Sequence, residues 1–499
     1  MMLTLLLVAC TVRPTPPGPS PIEQRAAVPE PLVMSVEGSE IVYLQATVRA
    51  GSAADPVGQE GVAWLTARML REGGTASYGA EDLDAALYAL GTDVSILVDK
   101  ELVTFRAKVL ADDFDAFLPL FTEIVTAPAF DPAAFERLRT SALDELTQGI
   151  LDSDEVLGWT VLDTWLHEGH PYGHPVQGRA GVLPTLTLDD VRAFYDTRYT
   201  RDATTLGIAG ATTPERAAAL AEPFSALSED PWPAPTPKPR PVLDDRQLLV
   251  VEKPSPATGI HFGHPLDVTR DHPDYAALLV GVTALGQHRE SIGRLYRALR
   301  GERGLNYGDY AYIEHFPGAP GYKAPRPGVL RVQPHFTVWL RPVAPENGPF
   351  ALKLATRMTE QWVAEGLEPE EFEQIKAYLA ARIGLWGQSP GDRLAWAVEA
   401  QALGTPDPLV DLAPAVRAVT LEEVNAAIAA HIHPETLRIV AVTQDVDAFV
   451  RPVIEETPTA VVYTDSERDT QTAAVDAEAA GYTMNIAGWT TVPAEGIFR

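Results

Sequence analysis

Apolar residues recur at helical spacing over residues 62–70, 83–90 and 114–125, and each run predicts an amphipathic helix with one buried stripe. Residues 94–98 and 102–109 are apolar and rich in β-branched side chains. They flank the polar Asp99-Lys100-Glu101 and read as the strands of a hairpin. Residues 205–209 read as a further strand, as do 248–251, 328–332, 337–340 and 437–441. Helical and strand periods interleave along the whole chain. The pattern therefore predicts an α+β fold, with helices layered on largely antiparallel sheet.

The periodicity stops once in mid-chain, where proline occupies every second position from Pro231 to Pro241. Neither a helix nor a central strand tolerates that spacing, so residues 230–241 are expected to form a stiff extended linker. The segments on either side echo each other. Thr187-Leu188-Asp189-Asp190-Val191 returns 233 residues later as Thr420-Leu421-Glu422-Glu423-Val424, and a strand-like run follows each. Asp131-Pro132 ahead of Phe135-Glu136 returns 237 residues later as Glu368-Pro369 ahead of Phe372-Glu373. An acidic residue and a proline at the start of a helical pattern form a helix-initiation signal, here used twice. Two matches at nearly one offset predict two homologous halves, residues 29–229 and 242–449. Residues 450–499 are weakly periodic and are expected to be an extension across the body.

Composition narrows the function classes. The 499 residues carry 68 Asp and Glu against 39 Lys and Arg, a formal charge of −29. Nucleic-acid binding needs a basic face that displaces counterions, so no nucleic-acid partner is expected. The single cysteine, Cys10, excludes an intramolecular disulfide and any cysteine-rich zinc module. Leu7-Val8-Ala9-Cys10 resembles the lipobox of bacterial lipoproteins, whose cysteine is lipidated. Residues 1–10 are therefore expected to be a signal segment, and the Pro-rich residues 11–28 a tether. A lipid anchor at Cys10 would place the body on the periplasmic face of a bacterial envelope.

Gly61-Val62-Ala63-Trp64-Leu65-Thr66-Ala67-Arg68-Met69-Leu70, closed by Gly73-Gly74-Thr75, resembles the active-site helix of the insulinase/pitrilysin-like zinc peptidases. Leu90-Gly91, Phe135-Glu136-Arg137, His170-Pro171-Tyr172-Gly173 and the stretch from Arg294-Leu295 to Tyr307 extend the likeness over residues 30–450. The resemblance implies two α+β halves enclosing an extended peptide. Active members carry an inverted H-x-x-E-H, in which two histidines on one helical face bind zinc and the glutamate activates its water. The corresponding positions here are Trp64, Ala67 and Arg68. An indole offers no lone pair, a methyl is no base, and a guanidinium is no ligand. Only the third ligand position, Glu145, is retained, while Leu138 replaces another frequent glutamate. No zinc is expected in this chain. A buried Glu145 would then need a counter-charge, and an Arg68–Glu145 ion pair is the expected substitute.

The second-half signature is better kept. Arg300 and Tyr307 match an Arg/Tyr pair that, in the family, donates hydrogen bonds to the substrate carbonyl across from the zinc. Arg303 reads equally well as a surface charge. In two-chain members one subunit carries zinc and the other this pair. The resemblance thus implies a non-catalytic subunit that pairs with a zinc-bearing partner and binds an extended peptide by strand addition. Val94-Ser95-Ile96 departs from the usual Leu-Asn-Ala on the peptide-binding strand, so that edge is expected to be altered or closed. A stand-alone peptide-binding or structural protein, and an active peptidase with unrecognised ligands, are the competing readings. His167-Glu168-Gly169-His170, with His174, is not read as a metal site because Pro171-Tyr172-Gly173 interrupts the helix. His261, His264, His431 and His433 read as surface histidines. Tyr310, Tyr312 and Phe316 read as strand and core packing.

Overall fold

The computed structural model of the chain describes residues 26–234, 238–239, 241–315, 324–463 and 468–498. Cys10, most of the tether, part of the proline linker and Phe316 lie outside them. Strands β1 (Leu32–Ser35), β2 (Ile41–Val48), β3 (Val94–Val98), β4 (Val103–Leu110) and β5 (Thr204–Gly210) form one sheet, ordered β1-β5-β2-β4-β3. Strands β6 (Arg246–Glu252), β7 (Thr258–Pro265), β8 (Asp309–Tyr312), β9 (His335–Val343) and β10 (Arg438–Thr443) repeat that topology as β6-β10-β7-β9-β8. In each sheet the first and last of these five strands run parallel and the other pairs antiparallel. Residues after 450 supply the helix Thr470–Ala480 and β11 (Ile486–Pro493), which lies parallel to β6 and widens the second sheet to six strands.

The duplication reaches the helix caps. Thr187 and Thr420 each close a capping box, with Asp190 and Glu423 respectively. Ser153 and Ser389 start the helices Asp154–Leu166 and Pro390–Leu403 by accepting a backbone N–H. These sequence-local signals satisfy the orphan donors of a first helical turn, so the repeat specifies the same stops and starts twice.

Those last two helices are exchanged between the halves. Asp154–Leu166, from the first half, packs on β7, β9 and β10 of the second sheet; Pro390–Leu403 packs on β1, β2 and β5 of the first. Both approaches are close enough to require glycine. A Cβ on Gly158 would come within 2.4 Å of His261 Nδ1, and one on Gly391 within 2.5 Å of Tyr43 Cδ1. Leu157, Val161 and Leu162 of the first helix share an apolar cluster with Val440 and Val442 of the second sheet, and Leu394 and Val398 of the second helix pack on Ala209 of the first sheet.

The strand expected at 328–332 is not formed. Its backbone is bonded by side chains instead of a ladder: Gly328 and Leu330 donate to the Glu399 carboxylate at 2.5 and 3.3 Å, and Val332 donates to Tyr172 Oη at 3.2 Å. Gly328, at φ +97°, also departs from extended geometry. The expectation of surface histidines fails for His261 and His264, which are buried in the middle and at the end of β7.

Candidate functional site

Asp55 starts the Val62–Glu72 helix, accepting from the Gly61 and Ala63 amides at 2.7 and 2.8 Å. Burial pushes its carboxyl up to about 7, against the opposing pull of those two amides. The helix is buried along most of its length, with Trp64 and Ala67 in the core. Arg68 lies with its guanidinium carbon 5.3 Å from the Trp64 ring centroid and forms an ion pair with Glu72, one turn along. The expected Arg68–Glu145 pair is absent. Glu145 begins a π-helical turn, Glu145–Gly149, and is exposed, accepting from Gln177 Nε2 at 2.6 Å. An exposed carboxylate keeps its hydration, so the buried counter-charge inferred from sequence is not needed. An indole, a methyl and a paired guanidinium do not fit zinc, and no hydrolytic step follows from this helix.

Arg300 and Tyr307 are brought together. Arg300 sits on the π-helical turn Tyr296–Glu302 and its guanidinium carbon is 5.7 Å from the Tyr307 ring centroid. Both side chains are exposed, Tyr307 at 76%. Among the described residues neither has a hydrogen-bond or ion-pair partner. The loop beneath them is pinned. Asn306 donates to Asp309 at 2.6 Å and to the Arg341 carbonyl at 3.0 Å, while accepting from Gly308 at 3.1 Å. Arg303 is not a surface charge: it is buried, donates to the Ala298 carbonyl at 2.7 Å and pairs with Asp476 at 2.7 Å. Arg303, three residues on, thus anchors the turn to the helix Thr470–Ala480, leaving Arg300 outward.

Sequence reasoning missed a buried polar seam between the halves. Arg331, from the 328–332 segment, pairs with Asp99 at 3.0 Å and with Asp163 at 2.7 Å. Burial alone would raise the Asp163 carboxyl, but Arg331 and His167 hold it well below its ordinary range. Lys100 donates to the His174 carbonyl, and burial lowers its ammonium to about 8. Tyr172 bonds Glu101, whose carboxyl burial raises. The signal available was a lone charge in each of two apolar runs, Arg331 between Leu330 and Val332 and Asp163 between Leu162 and Trp165.

The outer edge of β3 has no strand partner among the described residues, so the edge is open, not closed. An 810 Å³ cavity runs beside it, lined by Ser95, Leu97, Arg106 and Lys108 of the first half and by Trp386 and Trp396 of the second.

Residues 32–157 match the insulinase family, peptidase family M16, and residues 185–379 match the peptidase M16 inactive domain. The mitochondrial-processing peptidase subunit beta of Saccharomyces cerevisiae is 25% identical over 251 residues, 49% of this chain and 54% of that protein. An uncharacterized zinc protease of Streptomyces coelicolor is 26% identical over 254 residues, 49% of this chain and 53% of its own length. The chain spans about half the length of these curated relatives. The solved peptidase M16 inactive domain from Pseudomonas fluorescens superposes with a TM-score of 0.72 at 24% identity, covering 83% of this chain and 95% of that one. A protease from Helicobacter pylori gives 0.71 at 16% identity, covering 83% and 97%. Sequence matches in both halves and the repeated sheet topology agree: the chain belongs to the insulinase family of peptidases, as a non-catalytic member.

Proposed function

We propose that this chain is the substrate-binding subunit of a two-chain zinc peptidase acting on extended peptides in the bacterial envelope. Its partner would carry the intact H-x-x-E-H helix, and Arg300 and Tyr307 would complete that partner's site. The observation that carries this reading is the state of the Arg/Tyr pair: set on a pinned loop, side by side, exposed and without a partner among the described residues. A guanidinium and a phenol held so can donate to a peptide carbonyl or its developing oxyanion without reorganising. A Cys10 lipid anchor would hold the complex at the membrane.

Co-expression with an insulinase-family chain bearing H-x-x-E-H tests the reading. The two should co-purify, and a peptide substrate should be cleaved by the pair but by neither chain alone. Cleavage by the zinc chain alone at the rate of the pair would refute it. A second reading, a stand-alone peptide-binding protein, is supported by the open β3 edge and its cavity. Peptide capture by this chain without any partner, lost on inserting a proline into β3, would favour it.

A further inference from the structure

We propose that the seam between the halves holds a divalent transition-metal ion of the zinc class through Asp163, His167 and His335. None of the three lies on the Val62–Glu72 helix, and they come from both halves: Asp163 and His167 from the end of the Asp154–Leu166 helix, His335 from the start of β9. One ligand atom from each lies within 4.8 Å of the others, and all three residues are buried. His335 Nδ1 is 3.7 Å from Asp163 Oδ1; His167 Nδ1, 3.5 Å from that oxygen, is engaged by the Asp163 carbonyl at 2.9 Å, which leaves Nε2 as the nitrogen to face an ion. Donor atoms sharing a tetrahedral zinc ion at bonds of about 2.0–2.1 Å stand about 3.3 Å apart, so His335 and Asp163 are already near that spacing and the His167 ring would turn to bring Nε2 in.

Two independent observations point to a ligand there. Among the described residues each imidazole keeps a buried nitrogen with no hydrogen-bond partner, Nε2 of His167 and Nδ1 of His335. Buried polar atoms are nearly always satisfied, and an ion is one of the few things that explains such orphans. His167 Nδ1 also lies 2.9 Å from the Asp163 carbonyl, the second-shell bond that commonly orients a metal-binding imidazole. The second observation is convergence: imidazoles from different elements, His167 at the end of its helix and His335 at the start of β9, reach the same buried carboxylate oxygen, Asp163 Oδ1. Arg331 donates to the same oxygen, Asp163 Oδ1, at 2.7 Å and to Asp99 at 3.0 Å, so it can remain as a second-shell donor while the carboxylate offers its second oxygen or a further lone pair to the ion. Imidazole and carboxylate ligands select zinc over magnesium or calcium, and a water would fill the fourth position.

The ion would tie helix Asp154–Leu166 to the second sheet, a structural role independent of any partner or peptide. The test uses the purified full chain, stripped with EDTA and dialysed against zinc sulfate. One zinc per chain should be retained with sub-micromolar affinity, and crystals should show an anomalous peak at the zinc edge between the three side chains. His335→Gln and His167→Gln, checked for folding by circular dichroism, should each weaken retention at least tenfold. His431→Gln, in the surface cluster His272, Asp274 and His431, should leave it unchanged. Failure of the wild-type chain to retain zinc, an anomalous peak elsewhere, or full retention by His335→Gln would overturn the assignment. The crystallographic readout needs no variant, so a misfolded mutant cannot decide it.

Discussion

His261 should make the inter-half seam sensitive to acid. Its ring lies against the bare Cα of Gly158 and parallel to Trp339, with centroids 6.1 Å apart and planes 7° apart. Both ring nitrogens are buried without a partner among the described residues. Burial alone drives its pKa from 6.5 down to about 3. Between those two values the unfolded chain takes up a proton that the folded chain refuses, so stability falls as pH falls through the window. One pKa unit corresponds to about 1.4 kcal/mol, so going from about pH 7.5 to about pH 5 should cost about 2 kcal/mol at this residue. His261→Phe keeps a flat ring and removes the titration. Urea unfolding followed by tryptophan fluorescence reports on the right place, since Trp159 and Trp339 flank the imidazole. The wild type should lose about 2 kcal/mol more than the variant between the two pH values. Any overpacking by the larger ring, about 1–3 kcal/mol, is present at both and cancels. Equal acid sensitivity in the two proteins would refute the reasoning, because it would mean that the ring is already solvated or partnered.

Three further outcomes follow from the same geometry. Arg331→Met strands Asp99 and Asp163 in the seam and should destabilise the chain by about 3–5 kcal/mol in denaturant titration; a loss below about 1 kcal/mol would mean that water reaches those carboxylates. Gly391→Ala sets a methyl against Tyr43, at 2.5 Å, and should cost about 1–3 kcal/mol while leaving secondary structure by circular dichroism intact. Asp55, raised by burial to about 7, keeps a proton in the folded chain that the unfolded chain has released. Its contribution to stability therefore falls as pH rises from about 4 to about 7, and Asp55→Asn should flatten that part of the thermal-midpoint profile.

Local signals carried much of the fold. The periods of 3.6 and 2, the proline-started helices and the two Thr-capped repeats are short-range features, and the structure reproduces the elements they predict. What escaped was non-local. The exchange of helices Asp154–Leu166 and Pro390–Leu403 leaves no mark in either helix, because an apolar face does not say which sheet covers it. Residues 328–332 looked like a strand because Val329, Leu330 and Val332 are apolar, yet their backbone bonds go to Glu399 and Tyr172. His261 read as a surface histidine and is buried in mid-strand. At the site, that Trp64, Ala67 and Arg68 offer no zinc ligand was legible as plain chemistry. The Arg68–Glu145 pair was not formed, since Glu72 one turn away is the nearer acid and Glu145 faces solvent.

The central claim is that Arg300 and Tyr307 act in another chain's active site. Its most direct test is kcat for peptide cleavage by the reconstituted pair, with the wild-type chain and with Arg300→Ala in an otherwise intact complex. Losing an oxyanion donor should lower kcat by about 10²–10³-fold while co-purification persists. An Arg300→Ala complex that assembles normally and cleaves at the wild-type rate would contradict the account.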